Sequence, residues 1–167
     1  MTTKGYLLDT SVVSRLALAK SANASPDITN VLSRVKEVRE GVLLICSITV
    51  GEIEYGLNAA PSPSTEAQAE MRRIVQSFPI VIDIDKHVGA CYGDLRGKLF
   101  HKFAPRNKKG RARTKYVEEW LDPTTGKVLG VTENDVWIAA LALEHEQSVV
   151  SRDDHFDSVR GVTRLGW

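Results

Sequence analysis

Cysteine and long hydrophobic runs are scarce in this 167-residue chain. The two cysteines, Cys46 and Cys91, do not have the paired spacing of a zinc site, so we expect both to be reduced thiols in or near the core. The longest apolar run, residues 136–143, is far too short to span a bilayer. The first residues also lack a signal-peptide pattern. These features predict a cytoplasmic protein without a membrane segment.

Several catalytic signatures are missing as well. The sequence has no Gly-rich phosphate-binding loop and no Ser or Cys in the setting of a nucleophile. Its four histidines lack the spacing of zinc ligands, and we do not expect any of them to be catalytic. With 43% apolar and 26% charged residues, the composition is that of one globular domain, which we place at residues 1–167.

Basic residues are unevenly distributed along the chain. Between His101 and Lys115 there are seven Lys or Arg residues and no acid. The remainder has 15 basic and 21 acidic residues, so the overall charge of +1 conceals an acidic body with one basic segment. This combination is typical of a cation-dependent site that is served by a phosphate-binding segment.

Four acidic residues each stand beside a different apolar segment. They are Asp9 in Leu-Leu-Asp-Thr-Ser, Glu52 in Gly-Glu-Ile-Glu-Tyr-Gly, Asp135 in Glu-Asn-Asp-Val-Trp and Asp153 in Val-Ser-Arg-Asp. Each is placed where a short buried strand ends or a helix begins. In an open α/β sheet such positions converge at the carboxyl ends of the strands, where ligands bind.

Four carboxylates at one edge of a sheet repel one another and resist ionisation. A hard divalent cation, Mg²⁺ or Mn²⁺, relieves this repulsion, since it is held by one or two carboxylates together with waters and substrate phosphate. The acidic residues therefore favour a metal-dependent phosphodiesterase. An aspartate-nucleophile phosphatase is not favoured, because the second acid expected two residues after Asp9 is replaced by Ser11.

These motifs carry a family resemblance. Leu-Leu-Asp-Thr-Ser, Glu-Ile-x-Tyr-Gly from Glu52, Asn-Asp followed by Ile-Ala-Ala, and Ser-Arg-Asp near the end resemble the PIN domain, and more narrowly the VapC-type ribonuclease toxins of bacterial type II toxin–antitoxin systems. Each motif alone is weak, but four in order within one small α/β chain are specific. The resemblance covers about residues 6–165. It departs from the family pattern at about residues 101–130, where a basic insertion replaces a short loop.

The resemblance implies an endoribonuclease that hydrolyses RNA with Mg²⁺ or Mn²⁺ as cofactor. It also implies a cognate antitoxin protein as partner, and a homodimer. The implied ligands of one or two ions are Asp9, Glu52, Asp135 and Asp153, and the residues expected to support them are Thr10, Asn134 and Ser151. The alternative function is a catalytically silent PIN-like module that binds RNA or protein. The intact acidic set argues against this alternative.

Ordinary structural roles compete with the proposed role of each acid. Asp9 could cap the next helix, although Ser11 could do so instead. Asp135 stands three residues after Thr132, the position of an acid in a capping box. The spacing does not choose between Glu52 and Glu54, which point to nearly opposite sides of a helix. The family pattern selects Glu52, and Glu54 is then expected in solvent or in a surface ion pair.

The apolar pattern predicts a three-layer α/β/α sandwich with a central, mainly parallel sheet. Strands are predicted at residues 6–8, 42–46, 79–83 and 148–151, with a possible fifth at 162–165. Helices are predicted at residues 11–20, 27–40, 47–58, 66–77, 86–103 and 132–146.

The basic segment is predicted to be a flexible loop with few buried residues, because Pro105, Asn107 and Gly110 disfavour a helix. We expect it to follow an RNA backbone towards the acidic site, or to contact an acidic antitoxin tail, or to be only a solvated loop. The cations proposed to contact RNA are Lys108, Lys109, Arg111 and Arg113.

Overall fold

Five short parallel strands form the centre of the fold in a computed structural model that describes residues 5–18, 26–37, 42–61 and 64–167. The strand order is β3-β2-β1-β4-β5, and every neighbouring pair is parallel. The strands are β1 (Gly5–Leu8), β2 (Val42–Cys46), β3 (Val81–Ile82), β4 (Ser148–Val150) and β5 (Arg164–Leu165).

Six α-helices connect these strands within the described ranges. They are α1 (Thr10–Leu18), α2 (Pro26–Glu37), α3 (Ser47–Ala59), α4 (Thr65–Ser77), α5 (Lys86–Phe103) and α6 (Glu133–Glu144). Short 3₁₀ helices lie at Val117–Glu119 and Asp154–Ser158. None of the helices in the described part of the chain is long and apolar enough to cross a membrane.

Successive strand residues enter two separate hydrophobic cores. In β1, Leu7 packs with the buried residues of α5 and α6, whereas Leu8 packs with those of α1 to α4. The same alternation separates Leu44 from Ile45. Because neighbouring side chains of a strand point to opposite faces, this pattern covers both faces of the sheet with helices. The structure thus confirms the predicted three-layer α/β/α fold.

Polar side chains cap the starts of α4, α5 and α6. The Asp85 carboxylate accepts hydrogen bonds from the backbone N–H groups of His87 and Val88, both at 2.9 Å, at the start of α5. Thr132 and Asp135 form a reciprocal capping box at the start of α6. Most predicted elements agree with the structure to within two residues. The predictions for residues 19–20 and 38–41 lie outside the described ranges.

The insertion has an exposed first part and a partly buried second part. Residues 105–115 of the basic segment are exposed or half-buried, whereas Val117 and Trp120, which follow this segment, are fully buried. Isolated β-bridges join Arg106 to Ala112 and Leu121 to Val128. The insertion is mostly polar in composition, but it contains a few apolar residues that pack on α5 and α6.

Candidate active site

The four predicted acids come together at the carboxyl ends of the central strands. Asp9 directly follows β1, Asp153 follows β4, Glu52 lies in the second turn of α3 after β2, and Asp135 lies in the first turn of α6. All four line one cleft with a volume of about 550 Å³. The cleft is thus built from elements far apart in the chain, as the position of a ligand site in an open parallel sheet requires.

Asp9 is the most buried of the four acids, with 4% of its surface exposed. The hydroxyl groups of Ser11 and Ser151 both donate to its Oδ2 atom at 2.9 Å. Burial raises the pKa of Asp9 above its usual value, hydrogen bonds oppose this rise, and the charge of Asp135 adds to it. At Asp9, burial therefore outweighs the stabilising hydrogen bonds from Ser151 and Ser11.

Glu52 connects α3 to two other elements of the site. The Thr10 hydroxyl at the start of α1 donates to Glu52 Oε2, and the Asn134 amide of α6 donates to Oε1 at 2.7 Å. Because both carboxylate oxygens have a donor, the side chain is fixed in the cleft. Thr10 and Asn134 thus have the supporting position expected for them.

Asp135 has the capping role considered for it and also lines the cleft. Its Oδ2 atom accepts hydrogen bonds from the backbone N–H and the hydroxyl of Thr132, both at 2.7 Å, and so caps α6. The same atom lies 3.2 Å from Nε2 of His155. Burial favours a higher pKa for Asp135, but these contacts lower it below the usual value.

His155 is a residue of the cleft that the sequence analysis did not select. Burial disfavours its protonated form, yet Asp135, with smaller effects from Asp153 and Asp9, raises the pKa of the imidazole. A protonated His155 offsets part of the negative charge of the cleft. Its position in the 3₁₀ helix after Asp153 has no spacing signature, and only the tertiary contact reveals it.

Asp153 is exposed at the edge of the cleft. Its backbone N–H donates to the Ser151 hydroxyl at 3.1 Å, so Ser151 joins the Asp153 turn to Asp9. The other acids of this turn differ from Asp153: Asp157 pairs with Arg164 at 2.8 Å, and Asp154 does not line the cleft.

Glu54 lies outside the cleft, on another side of α3. It forms a two-pronged ion pair with Arg72 of α4, with a closest distance of 2.8 Å. The hydrogen bond from Arg72 lowers the pKa of Glu54. The structure thus brings Glu52, and not Glu54, to the other three acids.

The four cations proposed to contact RNA are all exposed, and none of them lines the cleft: Lys108, Lys109, Arg111 and Arg113. Their loop is held by its own turns, since Asn107 Oδ1 accepts from the backbone N–H groups of Lys109 and Arg111 at 2.9 and 3.1 Å. The structure therefore does not join the basic segment to the acidic site.

The chemistry of the cleft fits a hard divalent cation. Its acidic side chains offer oxygen ligands, which suit Mg²⁺ and Mn²⁺. The pKa of Asp9 is raised mainly by burial, and the nearby charge of Asp135 adds a smaller effect. Among the described residues, no three His, Cys, Asp or Glu side chains form a ready-made metal cluster. Mg²⁺ does not require one, because it commonly retains several waters and uses one or two carboxylates.

Comparisons with known proteins agree with this architecture. The PIN domain family profile matches residues 6–162. A structure of VapBC2 from Rickettsia felis, bound to a promoter DNA fragment, contains a chain with 19% identity and a TM-score of 0.64, covering 98% of each chain. VapBC-1 from nontypeable Haemophilus influenzae gives 18% identity and a TM-score of 0.65, also covering 98% of each chain.

A third structure is that of VapBC-5 from Mycobacterium tuberculosis, described as a member of the VapBC family of toxin–antitoxin systems. It has 20% identity and a TM-score of 0.55, and the match covers 96% of this chain and 98% of that one. Comparison with curated proteins gave no match. Identities this low relate the folds alone, whereas the family profile spans nearly the whole sequence. The chain belongs to the PIN domain family.

Proposed function

We propose that this protein is a metal-dependent endoribonuclease and the toxin of a toxin–antitoxin pair. The observation that supports this most is the convergence of Asp9, Glu52, Asp135 and Asp153 in one cleft from four separate elements. Asp135 also caps α6. That structural role does not account for the presence of three further acids in the same cleft.

In the proposed site, Asp9, Glu52, Asp135 and Asp153 hold one or two Mg²⁺ or Mn²⁺ ions. A bound ion would supply an acidified water and charge stabilisation at the scissile phosphate. The protein fixes the carboxylates through donors that belong to other elements: Ser11 and Ser151 on Asp9, and Thr10 and Asn134 on Glu52. These hydrogen bonds restrict the side chains before any ligand arrives, so little reorganisation is needed when it binds.

The choice of RNA as substrate rests on the family resemblance, and the choice of an antitoxin as partner rests on that resemblance and on the neighbouring structures. These are VapBC complexes, one of which is described as belonging to a family of toxin–antitoxin systems. By the same resemblance we propose a homodimer. The exposed cations Lys108, Lys109, Arg111 and Arg113 are proposed to hold the RNA backbone.

Cleavage of a labelled single-stranded RNA, with a DNA of the same sequence in parallel, tests this function. We expect cleavage of RNA with Mg²⁺ or Mn²⁺ and none in excess chelator. Asp153→Asn should abolish cleavage without unfolding the protein, because this carboxylate is exposed. Asp154→Asn is the matched control, since Asp154 is adjacent and lies outside the cleft. Full activity in chelator would refute the proposal, and RNA binding without cleavage would favour the silent module.

A further inference from the structure

Tyr55 is the most exposed of the large hydrophobic residues in the described part of the chain, with 76% of its surface accessible. It lies on α3, three positions after Glu52, which places it about 5 Å further along the helix axis and on a neighbouring part of the same surface. Single exposed aromatic residues are common on soluble proteins. The surroundings of Tyr55 distinguish it from such residues.

Tyr55 lies where two depressions meet. It lines the acidic cleft and also an adjoining pocket of about 270 Å³, and the two share Glu52, Tyr55 and Asn134. The second pocket contains Ile48 and Gly51 in addition. A surface that continues directly from the acids into a less polar recess offers space for an uncharged, flat group beside a phosphate.

Gly51 lines this recess without a side chain. A Cβ atom at this position would meet no heavy atom within 4 Å, so the helix leaves free space one turn before Tyr55. A helix is less stable with glycine than with alanine at an interior position. At Gly51 no neighbouring group is close enough to require the smaller residue. Gly51 and the exposed Tyr55 thus line the same recess, one helical turn apart.

We propose that Tyr55 is a stacking platform for a nucleobase adjacent to the scissile phosphate. This inference rests on the proposed ribonuclease function and names the part of the substrate that the recess accepts. A strand whose phosphate lies at the acids must place a neighbouring base close to it, and every base has a π-face that can stack on tyrosine. Stacking would orient the strand at a site whose carboxylates repel its backbone.

Binding of a fluorescently labelled single-stranded RNA, measured by anisotropy in excess chelator, tests this role without interference from cleavage. Tyr55→Ala should weaken binding roughly 5- to 100-fold, as the loss of one stacked base does. Tyr55→Phe should recover most of the affinity, because the ring and not the hydroxyl makes the contact. Tyr116→Ala is the matched control, since Tyr116 is 59% exposed and lies away from both pockets. An equal loss in this control would overturn the proposal.

A second variant separates stacking from damage to the helix. Gly51→Leu should fill the recess and weaken binding to a similar extent, while Gly51→Ala should unfold at the same or a higher temperature than the wild type. RNA with an abasic nucleotide, placed in turn at each position around the mapped cleavage site, completes the design. At one position, the abasic nucleotide should weaken binding to the wild type as much as the Tyr55→Ala substitution weakens binding to intact RNA. The same abasic RNA should bind Tyr55→Ala no more weakly than intact RNA does.

The possible failures can be told apart. Strictly additive losses at every abasic position, or unchanged RNA binding of Tyr55→Ala, would overturn the stacking role while leaving the ribonuclease function intact. Unchanged RNA binding with a change in oligomeric state would assign Tyr55 to a protein interface instead. A wild-type protein that neither binds nor cleaves RNA would overturn both the stacking role and the proposed function.

Discussion

The acidic cleft and the insertion at about residues 101–130 are held in place in different ways. In the cleft, hydrogen bonds join distant parts of the chain: Ser151 and Asp9 are 142 positions apart, and Asn134 and Glu52 are 82 apart. In the insertion, most turns close locally, as in the bonds from Thr124 and Thr125 to Asp122. The geometry of the cleft therefore depends on the sheet, whereas most of the insertion can vary without affecting the sheet.

The insertion is nevertheless fastened to α5 and to α6, and α6 borders the cleft. Glu118 accepts a hydrogen bond from the backbone N–H of Glu133 at 3.1 Å, at the residue before Asn134. Arg96 of α5 donates to the Lys115 carbonyl at 2.8 Å and to the Glu133 carboxylate. The part of the insertion that contains Lys115 and Glu118 thus resembles the cleft in its long-range contacts. The basic turn around Gly110 does not, because its hydrogen bonds are local.

The largest expected effect tests whether this fastened part belongs to the core. Trp120 is fully buried. Its ring centroid lies 5.8 Å from that of Phe100 and 5.5 Å from the guanidinium carbon of Arg96. Trp120→Ala should reduce the free energy of unfolding by about 3–5 kcal/mol, measured by denaturant titration.

Trp120→Phe provides the control. It retains an aromatic ring and removes an indole N–H that is buried without a hydrogen-bond partner in the described structure. Its cost should therefore be much smaller than that of Trp120→Ala. A loss below about 1 kcal/mol for Trp120→Ala would show that the insertion is only a surface loop.

The second effect tests the long-range part of the comparison at α3. Glu52→Gln should reduce RNA cleavage by at least about 100-fold, because it removes a charge from the proposed metal site. Glu54→Gln should cleave nearly as well as the wild type, since Glu54 contacts Arg72 and not the cleft. Initial rates at saturating RNA distinguish the two variants. Equal rates would assign Glu52 a structural role only.

The same comparison explains what could be predicted from the sequence. The four acids were identifiable because each follows an apolar element, and parallel strands bring such positions to one edge. The family motif selected Glu52 over Glu54, which helical spacing alone could not do. His155 and the burial of Trp120 depend on tertiary contacts that leave no periodic signal, so the sequence did not predict them.

The third effect concerns the basic turn, the locally closed part of the insertion. If about three of its cations meet phosphates, log affinity for single-stranded RNA should fall with log salt at a slope of roughly −2. Replacing Lys108, Lys109, Arg111 and Arg113 with Gln should weaken binding and flatten the slope. Cleavage at saturating RNA should persist, because these residues lie outside the cleft. An unchanged slope would leave the turn as a solvated loop.

The smallest effect compares two acids within the cleft itself. Burial raises the pKa of Asp9, so at neutral pH its charge opposes folding in the absence of metal. Contacts with Thr132 and His155 outweigh burial at Asp135 and lower its pKa, so its charge supports folding at that pH. In chelator at pH 7, Asp9→Asn should increase the free energy of unfolding by on the order of 1 kcal/mol.

Under the same conditions Asp135→Asn should decrease that free energy by about 1 kcal/mol, because it weakens the capping box and removes the charged partner of His155. Both variants should lose cleavage, so activity cannot separate the two acids and stability can. An increase in both variants would mean that the acids form one repelling set, without the compensation by Thr132 and His155. A decrease in both would mean that hydrogen bonds outweigh burial at Asp9 as well. Opposite signs would show that Asp135 is balanced by the fold, and that Asp9 retains the charge that a cation would compensate.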